Sequence, residues 1–278
     1  MTDPIFVDRH GHRTWLKWHR ARRRPDDHAF TSARILEGMR LGASVEVDLV
    51  VHGGGGWAVL HDFELDHQTT GHGLVRETSA EVLRGLHRRA DDGSVLPDRV
   101  SLLDDLCALL RHNPPASGAL LQLDVKEGLA ALDGRSVAGF SRAVAPVAGS
   151  MIISGGDAAA ISALAGDTPG LAVGHDPCHD DKIARLVSTN DFAGFLRDGL
   201  AESPHASMIY LAYEIIVEAD AAGFDMIGAC HAAGKRVDAW TIQRVTPETL
   251  ACCERLLALG VDQITTDDPE GLAAALSA

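Results

Sequence analysis

A chain of 278 residues with 46% hydrophobic residues can bury a large core, but only 5% of it is aromatic, so Ala, Leu, Val and Ile must build that core. A formal net charge of −14 excludes nonspecific binding to nucleic acid or to an anionic membrane surface, although not local capture of a small phosphate ester beside a cation. No apolar run reaches the ~20 residues of a membrane span, residues 1–13 lack a signal-peptide core, and the five cysteines (Cys107, Cys178, Cys230, Cys252, Cys253) form no CxxC. A cytoplasmic protein with reduced, mostly buried thiols is expected.

Residues 14–19 read as a first strand ending at His19, followed by a loop holding Arg20, Arg22, Arg23 and Arg24. A helix is expected over about 30–40. The apolar strand at 44–51 carries Glu46 and Asp48 two residues apart. Successive strand side chains point to opposite faces, so these acids share one face while Val45, Val47 and Leu49 pack on the other. Carboxylates that close repel unless one is protonated or a cation lies between them. The plain alternative is an edge strand with its polar face in solvent. Gly53, Gly54, Gly55 and Gly56 suit a hairpin tip, not a phosphate loop, because no lysine or helix start follows; His52 beside them reads as a solvated loop residue.

Residues 62–97 are polar and short in period, an excursion with a short helix at 78–87. Alternation then resumes. Helices are expected at 102–111, 135–147 and 158–165, one or two at 180–201, more within 214–233, then at 247–259 and from 269. The strands between them fall at 119–124, 151–154, 171–174, 208–212, 236–241 and 263–266. Eight apolar strands, each followed by helix, imply a parallel sheet covered on both faces. The expected fold is α/β, a (β/α)8 TIM barrel, as one domain over 1–278 with a small insertion at about 62–97.

Reactive side chains of such barrels sit at the C-terminal strand ends. Those ends carry His19 and Arg20, Glu46 and Asp48, His61 and Asp62, Asp124 and Lys126, Ser154, His175, Tyr213, Trp240 and Asp267. Carboxylates from two strands suit Mg²⁺ or Ca²⁺. Histidines carry protons near neutral pH, and Arg and Lys neutralise phosphoryl oxygens. These are the parts of a phosphoester reaction. His175 and Tyr213 are secondary candidates because each follows a strand end.

The motifs resemble the glycerophosphodiester phosphodiesterase family of the PI-phospholipase-C-like barrel superfamily. His19-Arg20-Ala21 matches its opening His-Arg-Gly, Glu46-Val47-Asp48 its Glu-x-Asp, and His61-Asp62 its His-Asp. The run from Leu65 to Gly73 looks like the start of the family insertion, and Asp124-Val125-Lys126 stands at its Glu-x-Lys. Ala239-Trp240-Thr241 and Thr266-Asp267-Asp268-Pro269 resemble its last two motifs. The resemblance covers most of the chain. It implies a phosphoric diester hydrolase of glycerol and lipid metabolism that splits a small glycerophosphodiester into sn-glycerol 3-phosphate and an alcohol. Attack on phosphorus would come from water, or from a substrate hydroxyl through a cyclic phosphate. His19 and His61 would be the acid/base pair; Glu46, Asp48 and Asp124 would hold one divalent cation, Mg²⁺ or Ca²⁺. Arg20 and Lys126 would contact the phosphate and Trp240 the alcohol moiety. No nucleic acid or membrane span is implied, and a homo-oligomer is compatible.

Three positions depart from the pattern: Ala21 replaces glycine, His28 stands where the family keeps a glutamate, and Asp124 replaces glutamate. They bring to mind the sphingomyelinase-D-like phospholipases, to one segment of which Gly174-His175-Asp176 followed by Asp180-Asp181 is similar. Cleavage of an intact (lyso)phospholipid is therefore an alternative, expected to need an apolar exposed rim. A barrel that binds a phosphorylated ligand without turning it over is another; paired proton carriers weigh against it.

Overall fold

The computed structural model describes residues 5–277; Met1–Pro4, Ala278 and the side chains of Asp180 and Asp181 lie outside the described residues. In chain order its elements are β1 (Phe6–Arg9), β2 (His12–Trp18), α1 (Ser32–Leu41), β3 (Ser44–Val51), β4 (Trp57–Val59), α2 (Ala80–Gly85), β5 (His87–Arg89) and β6 (Val95–Arg99). Then come α3 (Leu103–His112), β7 (Leu120–Val125), α4 (Gly134–Val144), β8 (Met151–Gly155), α5 (Ala158–Gly166), β9 (Ala172–His175), α6 (Asp180–Thr189) and α7 (Phe192–Glu202). The chain ends with β10 (Met208–Ala212), α8 (Tyr213–Ala221), α9 (Met226–Ala232), β11 (Arg236–Ile242), α10 (Pro247–Ala258), β12 (Gln263–Thr266) and α11 (Pro269–Ser277). β2, β3, β7, β8, β9, β10, β11 and β12 are the eight strands expected from the sequence, and the fold is the (β/α)8 barrel.

The contacts divide into two units. One comprises residues 1–19, 23–25 and 173–278. Here β2, β12, β11, β10 and β9 pair in parallel in that order, and β1 pairs antiparallel with β2. That hairpin, absent from the sequence-based reading, turns at His10 and Gly11, both left-handed with φ of 52° and 78°. The core of this unit is aliphatic: Ile209, Leu211, Val237, Ala239 and Ile264 pack under Ile216, Ile227 and Leu256 of the helices.

The other unit comprises residues 20–22 and 26–172. Its strands run β8, β7, β3 in parallel, with β4 antiparallel on β3 across the expected glycine turn. Gly55 is required there: its φ is 80°, and a Cβ would lie 2.7 Å from that of Arg135 at the start of α4. α4 begins on the Asp133 side chain, which accepts the Arg135 and Ser136 amides. The helix expected to reach 147 is α-helical to Val144 and continues as a 3₁₀ turn over Ala145–Ser150, where Pro146 brings no amide. The excursion is less polar than its sequence suggests. Its helix α2 stops at Gly85 and the chain turns into a β5–β6 hairpin, while Leu65, Val75, Leu83 and Val100 bury a small core against Val50, Ala58 and Leu60.

Candidate active site

β3 is buried along its whole length, so the edge-strand alternative falls. Parallel pairing sets Glu46 opposite Gln122 and Asp48 opposite Asp124 on β7, and Asp124 in turn opposite Ser154 on β8. Residues two apart on each strand share a face, so these five side chains form a polar lattice on one side of the sheet. Glu46 and Asp48 are only 3% and 2% exposed. One oxygen from each of Glu46, Asp48 and Asp124 lies within 4.8 Å of the others.

Cations and amides converge on these acids. The Arg20 amide donates to Glu46 Oε2 at 2.7 Å. Lys126 Nζ lies 2.7 Å from Asp48 Oδ1 and 2.6 Å from Asp124 Oδ2. Arg20 Nε is 3.3 Å from Asp48 Oδ2 without hydrogen-bonding geometry, which leaves both buried atoms without a hydrogen-bond partner. The turn that aims the Arg20 amide runs through left-handed backbone at Arg20 (φ 52°) and Ala21 (φ 58°), a conformation that costs a residue with a Cβ about 1 kcal/mol or more. The family's glycine would avoid that cost at Ala21.

Burial pushes the Glu46 carboxyl well up, and the charges of Asp48 and Asp124 push it further. Burial works the same way on Asp48, but Lys126 and Arg20 outweigh it and hold that carboxyl down. The lysine is itself disfavoured by burial and held charged by Asp124, Asp48 and Glu46. A divalent cation fits this donor set. Three hard carboxylate oxygens are grouped, and Asp48 Oδ2 is buried without a hydrogen-bond partner. With Glu46 ionised as a ligand must be, three acids against Lys126 and Arg20 leave one negative charge, so a cation takes the place of the proton that this environment favours on Glu46. A charge of +2 turns that excess into a single positive charge, which matches the single negative charge of a phosphodiester.

His61 follows β4 in the same unit, its Nδ1 2.8 Å from Asp62 Oδ1. The amides of His61 and Asp62 both donate to Gln68 Oε1, at 2.9 and 3.2 Å, so the insertion fixes this turn. In the other unit His19 Nδ1 lies 2.7 Å from Asp267 Oδ1. Carboxylates accept, so each ring donates from Nδ1 and presents Nε2 for proton transfer. Asp267 was legible as a strand-end acid within the last motif, and Gln68 as one residue of the insertion motif, but neither as a partner of a histidine turn.

No family model and no curated protein matches the chain. Solved structures do. A glycerophosphodiester phosphodiesterase from Agrobacterium tumefaciens is 19% identical, with a TM-score of 0.67 over 94% of this chain and 99% of its own. One from Thermotoga maritima is 16% identical, with a TM-score of 0.65 over 96% of this chain and 100% of its own. A phosphodiesterase from Oleispira antarctica, solved with its product sn-glycerol 3-phosphate, is 17% identical, with a TM-score of 0.66 over 95% and 96%. This chain shares their fold.

Beside the acid lattice, a cleft of about 610 Å³ is lined by Arg20, Phe30, His61, Asp62, Gln68 and Arg88 among others. Phe30, itself left-handed at φ 59°, has the guanidinium carbons of Arg20 and Arg88 at 5.9 and 5.1 Å from its ring centre. Arg88 is 2% exposed, and burial brings its guanidinium down to about 10. His28 is exposed and stands outside the acid cluster. The arginine cluster divides: Arg22 pairs with Asp91 at 2.6 Å, Arg23 and Arg24 with Glu270, and Arg20 turns to the acids. His52 is buried, not solvated, with Nδ1 on the Gly53 carbonyl.

The remaining candidates lie in the unit of His19. Trp240 on β11 is half-buried, its Nε1 without a hydrogen-bond partner. His175 at the end of β9 is fully buried with Nε2 3.2 Å from Glu202 of α7. Tyr213 opens α8, and burial, then Glu214, raises its hydroxyl pKa. All five cysteines are free, and burial pushes the thiols of Cys107, Cys230 and Cys253 up to about 12. No helix among the described residues is long and apolar enough to cross a membrane.

Proposed function

We propose that this protein is a metal-dependent glycerophosphodiester phosphodiesterase, hydrolysing small glycerophosphodiesters to sn-glycerol 3-phosphate and an alcohol. The observation that carries this reading is the buried Glu46–Asp48–Asp124 group, whose charge with Arg20 and Lys126 calls for one divalent cation and then suits a phosphodiester. Glu46, Asp48 and Asp124 would hold Mg²⁺ or Ca²⁺, which when bound would supply Lewis-acid stabilisation of negative charge on phosphoryl oxygen. Arg20 and Lys126 add hydrogen bonds to those oxygens. His61 takes up or gives up a proton at Nε2, kept in position by Asp62 at Nδ1. His19 does the same with Asp267 behind it, one as base and the other as acid. Trp240 lines the pocket for the alcohol moiety. The free thiols suit a cytoplasmic setting.

A second reading rests on the insertion, which exposes Phe63 (49%) and Leu74 (37%) two residues beyond His61 and across a backbone bridge. An apolar rim of this kind suits a lysophospholipid chain. One assay separates the two: release of the alcohol, with glycerol 3-phosphate as co-product, from a panel of glycerophosphodiesters, and release of the alcohol from lysophospholipid alongside, in EDTA and with Mg²⁺ or Ca²⁺ restored. Diester cleavage that stops in EDTA and returns with metal is expected. Full activity in EDTA would sink the metal site, and turnover of lysophospholipid alone would install the second reading.

A further inference from the structure

The acid lattice contains two neutral residues that neither bind phosphate nor carry protons in the reading above. Ser154 is fully buried and Gln122 is 5% exposed. Gln122 Nε2 donates to Ser154 Oγ at 2.8 Å, and the Ser154 hydroxyl donates to Asp124 Oδ1 at 2.8 Å. The direction of this chain is determined. An amide N–H can only donate, so the serine oxygen accepts from Gln122 and its one proton goes to the carboxylate. Each bond polarises the next in so buried a place.

We infer that Ser154, itself held by Gln122, is the positioning residue that keeps Asp124 aimed at the divalent cation and so sets cation affinity. The inference rests on the metal-site reading above. Asp124 is the acid that needs such help: its side chain is 20% exposed against 2% for Asp48. Its two oxygens are held differently, Oδ2 by Lys126 at 2.6 Å and Oδ1 by Ser154. Lys126 is shared with Asp48 and is the side chain assigned to the phosphate. When it turns to phosphate, Ser154 is the contact left to hold the Asp124 rotamer. The chain also adds no charge. Gln122 sits opposite Glu46 in the strand register, where another acid would add to the repulsion and a base would compete with the cation.

The test is calorimetric titration of Mg²⁺ and of Ca²⁺ into metal-free wild type, Ser154→Ala, Gln122→Met and the double variant, with metal-free melting curves as the control for folding. Ser154→Ala is expected to weaken cation binding by about 10–100-fold, the usual cost of losing a contact behind a metal ligand. Gln122→Met should lose less, since the hydroxyl remains. The double variant should bind no worse than Ser154→Ala, because the two residues act as one chain. Equal affinity in wild type and Ser154→Ala overturns the inference, and additive losses in the double variant overturn the role of Gln122. A wild type that binds neither cation fails differently: the metal site itself is then wrong, and the positioning role goes with it.

Discussion

At the residue scale, the two histidines are defined by what stands behind them. Asp62 is the next residue after His61, whereas Asp267 reaches His19 from the far end of the chain. Both carboxylates meet the ring at Nδ1, so in the proposed reaction Nε2 is the nitrogen left for general acid–base transfer at an oxygen. His61→Ala is expected to lower kcat by about 10²–10⁴-fold on a glycerophosphodiester, with cation binding retained because His61 is not among the three acids. Wild-type turnover in that variant, measured at saturating metal, would remove His61 from the reaction. His175 has a different environment. Burial lowers its pKa below the ~6.5 of a free imidazole, and Glu202 offsets that only in part. Its unfolded form therefore binds the proton more readily than its folded form, so stability rises with pH across that window and falls as pH drops below about 6.5. His175→Gln should flatten this part of the profile, measured as melting temperature between pH 5 and 8; an unchanged slope would place the acid sensitivity elsewhere.

At the element scale, capping signals mark helix starts well. Thr246 caps α10 by accepting the Thr249 amide, with Pro247 opening the helix. Thr246→Ala should cost about 1 kcal/mol, a fall in melting temperature of about 2–4 °C for a protein of this size. The strands need tertiary context. The pattern at 44–51 shows which residues of β3 share a face, but only the presence of β7 and β8 alongside turns two acids into a five-residue lattice. The excursion reads as polar because its few apolar residues are scattered among charged ones. They gather only when α2 and the β5–β6 hairpin fold back over β4.

At the scale of the whole molecule, each unit contains a buried charged cluster, and the two differ in kind. In the first unit Lys17 (1% exposed) lies 2.9 Å from Asp238 (0% exposed), which also accepts from Thr265 at 2.6 Å and from Gln263. That cluster pairs its acid with an ammonium and two neutral donors. Removing one partner of a buried pair strands the other, so Lys17→Met is expected to cost about 3–5 kcal/mol. Adding Asp238→Asn should recover much of it. Chemical denaturation of the single and double variants checks this, and a single variant as stable as wild type would show that Asp238 is satisfied without the lysine. The cluster of the second unit has three acids against two cationic side chains, so its third carboxylate, Glu46, needs either a proton or a cation. Of the two, only that one asks for a cation.

The sequence by itself determined the eight strand–helix units, the glycine turn after β3, and the acids and histidines at the strand ends, because these follow from local periodicity and backbone chemistry. It also exposed the departures at Ala21, His28 and Asp124. Only the tertiary structure decided what surrounds each of them. It set Ala21 in a left-handed turn, left His28 in solvent outside the acid cluster, and anchored Asp124 through Ser154 and Lys126. The reason is physical. Carboxylate charge, hydrogen-bond direction and burial depend on which strands lie side by side, and that pairing joins residues far apart in the chain.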